Sequence, residues 1–218
     1  MNKQNDIIKS FTSHRSRVKG EKLEKLKYDL LPKYEILSFH EMKDSKNIEL
    51  EIGSGFGQTV SHLAKTNPQT QFIACEVFID GVASICSKLE ENAIENVIIY
   101  RDDARILLKQ IANDAIENVY LLFPDPWPKK KHHKRRIVTN EFLEEVARVL
   151  KSDGKLFVAT DDSSYQEWMI DIFQNQSHLQ WLNSDDYSAE PSWWVKTKFQ
   201  LKAEMDGRTS AFFVLGKV

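Results

Sequence analysis

Between residues 47 and 174 the chain repeats one pattern five times: a short apolar run, then an amphipathic segment of helix length. The runs are NIELEIG (47 to 53), QFIACEV (71 to 77), NVIIY (96 to 100), NVYLLF (118 to 123) and GKLFVAT (154 to 160). The segments that follow them are 58–66, 79–92, 104–113, 140–150 and 164–174. Runs this short and this apolar read as strands covered on both faces, and each amphipathic segment has one stripe to bury against them. Parallel neighbours need a crossover connection, and the helix supplies it, so five such units predict an α/β chain with a mostly parallel sheet and helices on both faces. A last run, SAFFVLG (210 to 216), is expected to complete the sheet after an irregular, Trp-rich stretch at 181 to 199. Near the start, Leu23, Leu26, Leu30 and Leu31 recur at helical spacing, which predicts a capping helix from Glu21 to Tyr34 with Pro32 marking its end. Residues 1–20, polar and basic with Lys9, His14, Arg15, Arg17 and Lys19, read as a flexible arm before a single domain, 21–218.

Charge is concentrated rather than spread. The chain has 30 Lys and Arg against 32 Asp and Glu, a formal net charge of -2, so it is no polycation that coats nucleic acid indiscriminately. Six of the 30, Lys129, Lys130, Lys131, Lys134, Arg135 and Arg136, fall in one loop; the other 24 face 32 acids, a balance of -8. An anion site is therefore expected in that loop. Cys75 and Cys86 lack C-x-x-C spacing, so both read as core thiols, with no metal site or disulfide framework. The start, MNKQNDIIKSF, lacks the apolar segment of a secretion signal, and no window approaches the ~18 apolar residues of a membrane helix. A cytoplasmic chain with no membrane partner is the expectation.

Ligands of parallel α/β sheets bind beyond the carboxyl ends of the strands, so the residues just after each run matter most. The first run ends in Glu51 and the turn Gly53, Gly55, Gly57. That turn is either a tight turn only or a place where a ligand approaches the main chain, and its G-x-G-x-G spacing is not the dinucleotide fingerprint. The second ends in Glu76, a ribose-diol acceptor or a solvated acid. Asp103 and Ala104 follow the third; Asp103 can cap the next helix, accept from an adenine amine, or do both. The fourth leads into FPDPWPKKKHHKRR, 123 to 136, where Pro124 and Pro126 restrict the backbone around Asp125. The fifth ends in Thr160, Asp161 and Asp162, with Asp161 either a site acid or the N-cap of the next helix. Acids at five successive strand ends line one rim and describe a nucleoside-binding crevice.

At these residues the sequence resembles the Rossmann-like S-adenosylmethionine-dependent methyltransferases and, more closely, the tRNA (guanine-N7)-methyltransferase family. LEIGSGFG, the Glu76-Val77 pair, Asp103-Ala104, FPDPWPKKKHHKRR, ATD at 159 to 161 and TKF at 197 to 199 match that family's motifs in order. The combination of FPDPW with H-x-K-R-R is the most specific of them. The resemblance implies a Rossmann-like methyltransferase fold with a mostly parallel, seven-stranded sheet. It implies that Glu51, Gly53, Gly55, Gly57, Glu76, Asp103, Ala104 and Asp125 form the S-adenosylmethionine site. Lys129, Asp161 and the stretch Thr197, Lys198, Phe199, Gln200 are implied to contact substrate, and Lys131, His132, His133, Lys134, Arg135 and Arg136 to contact RNA. One position departs from the family pattern: Gln200 stands where Glu is usual, which removes a charge and puts a donor in place of one acceptor.

The implied activity is methyl transfer from S-adenosylmethionine to N7 of guanosine in tRNA, at position 46 of the variable loop, by a monomer or homodimer. Guanine N7 carries a lone pair and no proton, so the site must supply geometry and negative potential rather than a base, a task that suits Asp125 and Asp161. The basic loop suits the phosphates of a folded RNA, and its bland reading is a solvated or localisation-type charge run. Trp127, Trp193 and Trp194 are candidates either to stack a splayed base or to fill the core. Two alternatives stand beside this reading: a methyltransferase of another RNA, and a catalytically silent RNA-binding subunit. Erosion of the glycine turn or the strand-end acids would mark the silent subunit, and only Gln200 departs.

Overall fold

The computed structural model describes residues 16–39 and 47–217, so most of the expected arm, with Lys9, His14 and Arg15, lies outside the described residues. The five apolar runs form β2 (Ile48–Ile52), β3 (Gln71–Cys75), β4 (Val97–Tyr100), β5 (Ile116–Leu122) and β6 (Leu150–Thr160), each parallel to its neighbours in this set. The last run forms β8 (Ala211–Lys217), antiparallel to β6. Between them lie α3 (Gln58–Thr66), α4 (Ile79–Glu91), α5 (Ala104–Gln110), α6 (Asn140–Val149) and α7 (Ser163–Asn175). Two edge strands, β1 (Glu35–Ile36) on β4 and β7 (Leu179–Trp181) on β8, are too short to leave an alternating signature. The described residues thus form eight strands where the resemblance implies seven, in the order β1-β4-β3-β2-β5-β6-β8-β7.

Alternation along the strands divides the core into two layers. β3 sends Phe72 and Ala74 toward Val60, Leu63, Val82 and Ile85 of α3 and α4, and Ile73 and Cys75 toward the layer under α5, α6 and α7. β2 sends Ile48, Leu50 and Ile52 into that second layer, leaving Glu49 and Glu51 on the first face. A one-residue slip would exchange three aliphatic side chains, each worth about 1.5–3 kcal/mol buried, for two carboxylates.

The N-terminal helix spans Glu21 to Tyr34 as expected, but Pro32 lies within it rather than marking its end. It runs from α1 (Glu21–Lys25) through a π-turn (Leu26–Leu30) into α2 (Leu31–Tyr34). Pro32 lacks an N–H and its ring crowds the carbonyl four residues back; the preceding turn is widened, with the Leu31 N–H reaching the Leu26 carbonyl, and the helix continues. The described end of the expected arm, from residue 16, lies against α4. The Arg17 N–H donates to both Asp80 oxygens at 3.0 and 2.9 Å, and the Val18 N–H to Oδ1 at 3.3 Å, so the segment is pinned to the first turn of α4.

The sheet order reverses direction at β2, with β3 and β4 on one side and β5 and β6 on the other. Connections leaving β2 and β5 therefore diverge and open a crevice at the carboxyl ends of the strands. Ile52 of β2 is in register with Leu121 of β5, so the glycine turn and the FPDPW turn begin side by side.

Candidate active site

The chain leaves β2 through Gly53, Gly55 and Gly57, whose φ angles are 72, 53 and 73°. The N–H groups of Gly53 and Ser54 both donate to the Cys75 carbonyl at the end of β3, at 2.8 and 3.2 Å, which bends the turn toward β3. Gly57 is demanded twice over: its φ is left-handed, and a Cβ there would lie 2.6 Å from Cγ1 of Ile85 on α4. An open cleft runs along this turn, lined among others by Glu51, Gly55, Phe123 and Thr197.

Glu51 lines this cleft, and Glu76 is hydrogen-bonded to its Gly55. Glu51 is buried, and its Oε2 has no hydrogen-bond partner among the described residues. Burial first, and the Glu76 carboxylate after it, push its carboxyl up to about 8. Glu76 is not a solvated acid: it is buried, accepting from the Gly55 N–H at 2.6 Å and the Phe78 N–H at 2.7 Å. Burial raises its pKa as well, against the lowering by those amides. Asp103 caps α5 by accepting from the Arg105 N–H at 2.9 Å, and it pairs with the Arg105 guanidinium. Ala104 is buried at the first turn of that helix.

β5 runs straight into a strained turn. Phe123 and Trp127 have φ of 52 and 46°, a conformation costly for bulky side chains, and they bracket the Pro124-Asp125-Pro126 segment. Asp125 is exposed between them, and its charge helps to raise both Glu76 and Tyr165. The basic run then coils into a 3₁₀ turn (Lys130–Arg135). Lys129, Lys130, Lys131 and Lys134 are exposed. Arg135 lies over the Trp127 ring at 4.8 Å, and His132 meets the same ring edge-on at 5.8 Å. His133 packs edge-on against Trp168 at 5.9 Å.

Arg136 breaks with the run. It is 2% exposed, with Nε donating to the Pro126 carbonyl at 2.9 Å and the terminal nitrogens to the Ser164 carbonyl and hydroxyl at 3.2 and 2.9 Å. The expectation that it contacts RNA phosphates is corrected: this guanidinium braces the FPDPW turn against α7. Asp161 is corrected too, as a helix cap. The N-cap of α7 is Asp162, accepting from the Tyr165 N–H at 2.8 Å, while Asp161 pairs with Arg208.

The third wall comes from the Trp-rich stretch and from α8 (Lys198–Met205), a helix with no sequence signal. Thr197 caps it and lines the cleft. The Lys198 N–H reaches Gln58 Oε1 at 3.1 Å and its ammonium lies 5.4 Å from the Phe56 ring centre, so α8 begins on the glycine turn. The Phe199 side chain lies outside the described residues. Gln200 is buried, with its amide fully engaged. Trp193 packs edge-on against Tyr120 and Phe157 at 5.0 and 5.1 Å, and Trp194 against Phe123 and Phe212 at 6.0 and 4.8 Å, so both serve as packing. Sequence reasoning missed Ser164, Tyr165 and Arg208, none of which belongs to a strand-end motif.

The fold and the motifs agree with known proteins. The family model described as "Putative methyltransferase" matches residues 45–212. The tRNA (guanine-N(7)-)-methyltransferase of Agrobacterium fabrum is 37% identical over 171 residues, covering 78% of this chain and 74% of that protein. The enzyme of the same name from Wolbachia pipientis is 34% identical over 221 residues, covering 97% and 93%. Among solved structures, an rRNA methylase of Streptococcus thermophilus superimposes with a TM-score of 0.55 at 15% identity, covering 82% of this chain and 90% of that one. A Streptococcus mutans protein solved in complex with SAH gives 0.52 at 15%, covering 89% and 97%. The structural likeness carries the Rossmann-like methyltransferase fold, and identity sustained along nearly the whole length carries the rest: this chain belongs to the tRNA (guanine-N(7)-)-methyltransferase family.

Proposed function

We propose that this chain methylates N7 of guanosine in tRNA with S-adenosylmethionine as donor, at position 46 of the variable loop, in the cytoplasm. The observation that carries the reading is the switch-point crevice, where the buried Glu51 carboxyl, one of whose oxygens has no partner among the described residues, lies beside a strained FPDPW turn that leads at once into a cationic turn. When bound, S-adenosylmethionine supplies a methyl carbon made electrophilic by its sulfonium. The residues fit such a donor: a buried carboxylate with one unpartnered oxygen suits a cationic ammonium, and Glu76 suits a ribose diol. Asp103, just beyond the end of β4, is the acid for the adenine amine, an acceptor it would share between that amine and the Arg105 N–H and guanidinium.

No residue needs to remove a proton, because N7 presents a lone pair. Asp125 and Asp161 supply negative potential for the positive charge that grows on the base, and the proline-flanked turn holds Asp125 with little entropy left to lose. Lys129, Lys130, Lys131 and Lys134, exposed beside that turn, neutralise phosphates. The test is transfer of labelled methyl to tRNA followed by nucleoside analysis and mapping of the modified position. N7-methylguanosine at position 46 is the expected product. Donor and tRNA binding without any methylated product would identify a silent RNA-binding subunit instead.

A further inference from the structure

We propose that Gln200 is a positioning residue, resting on the methyltransferase reading, and that it sets the acceptor wall of the cleft through Trp194 rather than by touching guanine. The residue is 2% exposed on the first turn of α8. Its backbone N–H donates to Thr197 Oγ1 at 3.2 Å, closing the cap of that helix. Its side-chain oxygen accepts from Trp194 Nε1–H at 2.6 Å, and its nitrogen donates to Glu190 Oε1 at 2.5 Å and Glu204 Oε1 at 3.0 Å. An indole N–H can only donate and ionised carboxylates can only accept, so these partners force one orientation of the amide. Both amide hydrogens are used, and none is left for a base.

Two lines run from this residue to the cleft. One, from its backbone N–H, passes through Thr197, which lines it. The other passes through Trp194, whose ring meets Phe123 at 6.0 Å, and Phe123 both lines the cleft and opens the strained turn before Asp125. The charged groups around the amide are Glu204 on its own helix and Glu190 and Lys196 on the stretch before it, with Lys196 Nζ 2.8 Å from Glu204 and 3.9 Å from Glu190. Two carboxylates and one ammonium already surround it. A carboxylate at 200 would place three acids about one lysine and remove both donors.

Gln200→Glu tests this directly. Near pH 8 its single-turnover methylation rate should fall about tenfold or more, as when buried donors are lost, and it should recover toward about pH 6 as the new acid takes up a proton and donates again. The wild type should show no such rise. Glu190→Gln in the same chain returns a donor to the cluster and should restore the rate at pH 8 to within about threefold, since only one bond is reversed. Indole N–H resonances of the five tryptophans give a readout independent of activity: the Trp194 signal should titrate in Gln200→Glu and stay fixed in the wild type. Wild-type tRNA without N7-methylguanosine would sink the functional reading and leave the indole titration to judge this one. A Gln200→Glu protein that matches or exceeds the wild type at pH 8, with an unmoved Trp194 signal, would overturn the proposal and make position 200 a direct substrate acceptor.

Discussion

Arg136 Nε donates to the Pro126 carbonyl at 2.9 Å, so the last cation of the basic run is bound to the turn that carries Asp125. Its other nitrogens reach Ser164 on α7, and the guanidinium lies 4.8 Å from the Tyr165 ring centre. A run that reads as one uniform positive surface therefore splits into exposed lysines and a buried brace.

Arg136→Ala should consequently act on stability and rate, not on salt dependence. Losing hydrogen bonds from a buried charged group costs about 1.5–3 kcal/mol, and the FPDPW turn loses its tie to α7. We expect a lower melting temperature, slower single-turnover methylation and an unchanged slope of log Kd for tRNA against log salt. Lys131→Ala and Lys134→Ala should do the reverse, flattening the slope by about 0.7 for each phosphate no longer neutralised. Isotherms at several salt concentrations separate the two; a flattened slope for Arg136→Ala would return that residue to the RNA surface.

Asp161 and Asp162 are adjacent and should behave differently. Asp161→Asn is expected to slow single-turnover methylation well beyond any loss of tRNA affinity, because it removes charge beside the growing positive charge on the base. It should leave helix α7 intact. Asp162→Ala removes the N-cap and should cost about 1 kcal/mol of stability, read in a urea melt. Parent-rate methylation by Asp161→Asn would show that its pairing with Arg208 is structural only.

With Glu51 in the proposed donor site, donor binding should depend on pH. Burial lifts its carboxyl from 4.5 to about 8, so at neutral pH the donor-free protein holds the proton, whereas a bound ammonium favours the ionised form. Binding S-adenosylhomocysteine should therefore release a proton near about pH 7 and tighten as pH rises toward 8. For folding the sign is opposite: the folded state binds more protons than the unfolded, so the contribution is full below 4.5 and is lost as pH rises through about 8. Calorimetry in buffers of different ionisation enthalpy measures the release. It should vanish in Glu51→Gln, and a wild-type enthalpy independent of buffer would exclude the role.

Glu76→Ala should weaken S-adenosylhomocysteine binding by about 1.5–3 kcal/mol, the worth of hydrogen bonds to a charged acceptor. The same change frees the Gly55 N–H, so the glycine turn should exchange its amide hydrogens faster. Unaltered affinity by calorimetry would remove Glu76 from the donor site.

The long strands and amphipathic helices were legible because their apolar spacing repeats within a few residues. α8 was not: Leu201 and Met205 are exposed and Ala203 is buried, so KFQLKAEM has no apolar stripe to show a period. β1 and β7 are shorter than any alternation that could mark them. Among the candidate site residues, Glu51, Glu76 and Asp125 stood out because they end strands or are flanked by prolines, which is a local property. Arg208 and Ser164 gave no signal, since their importance lies in what they touch.

Local pattern alone determined the α/β class, the strand-end rim, the glycine turn and the family to which the chain belongs. Tertiary structure decided which acid caps α7 and which pairs with Arg208, which member of KKKHHKRR is withdrawn from solvent, and where the amide of Gln200 points. The reason is separation along the chain. Arg136 and Ser164 are 28 residues apart, and Arg208 and Asp161 are 47. Periodicity reports the face on which a residue lies, but the partner that fixes a charge or an amide arrives from another element, and only the packed sheet and helices bring the two within hydrogen-bonding distance.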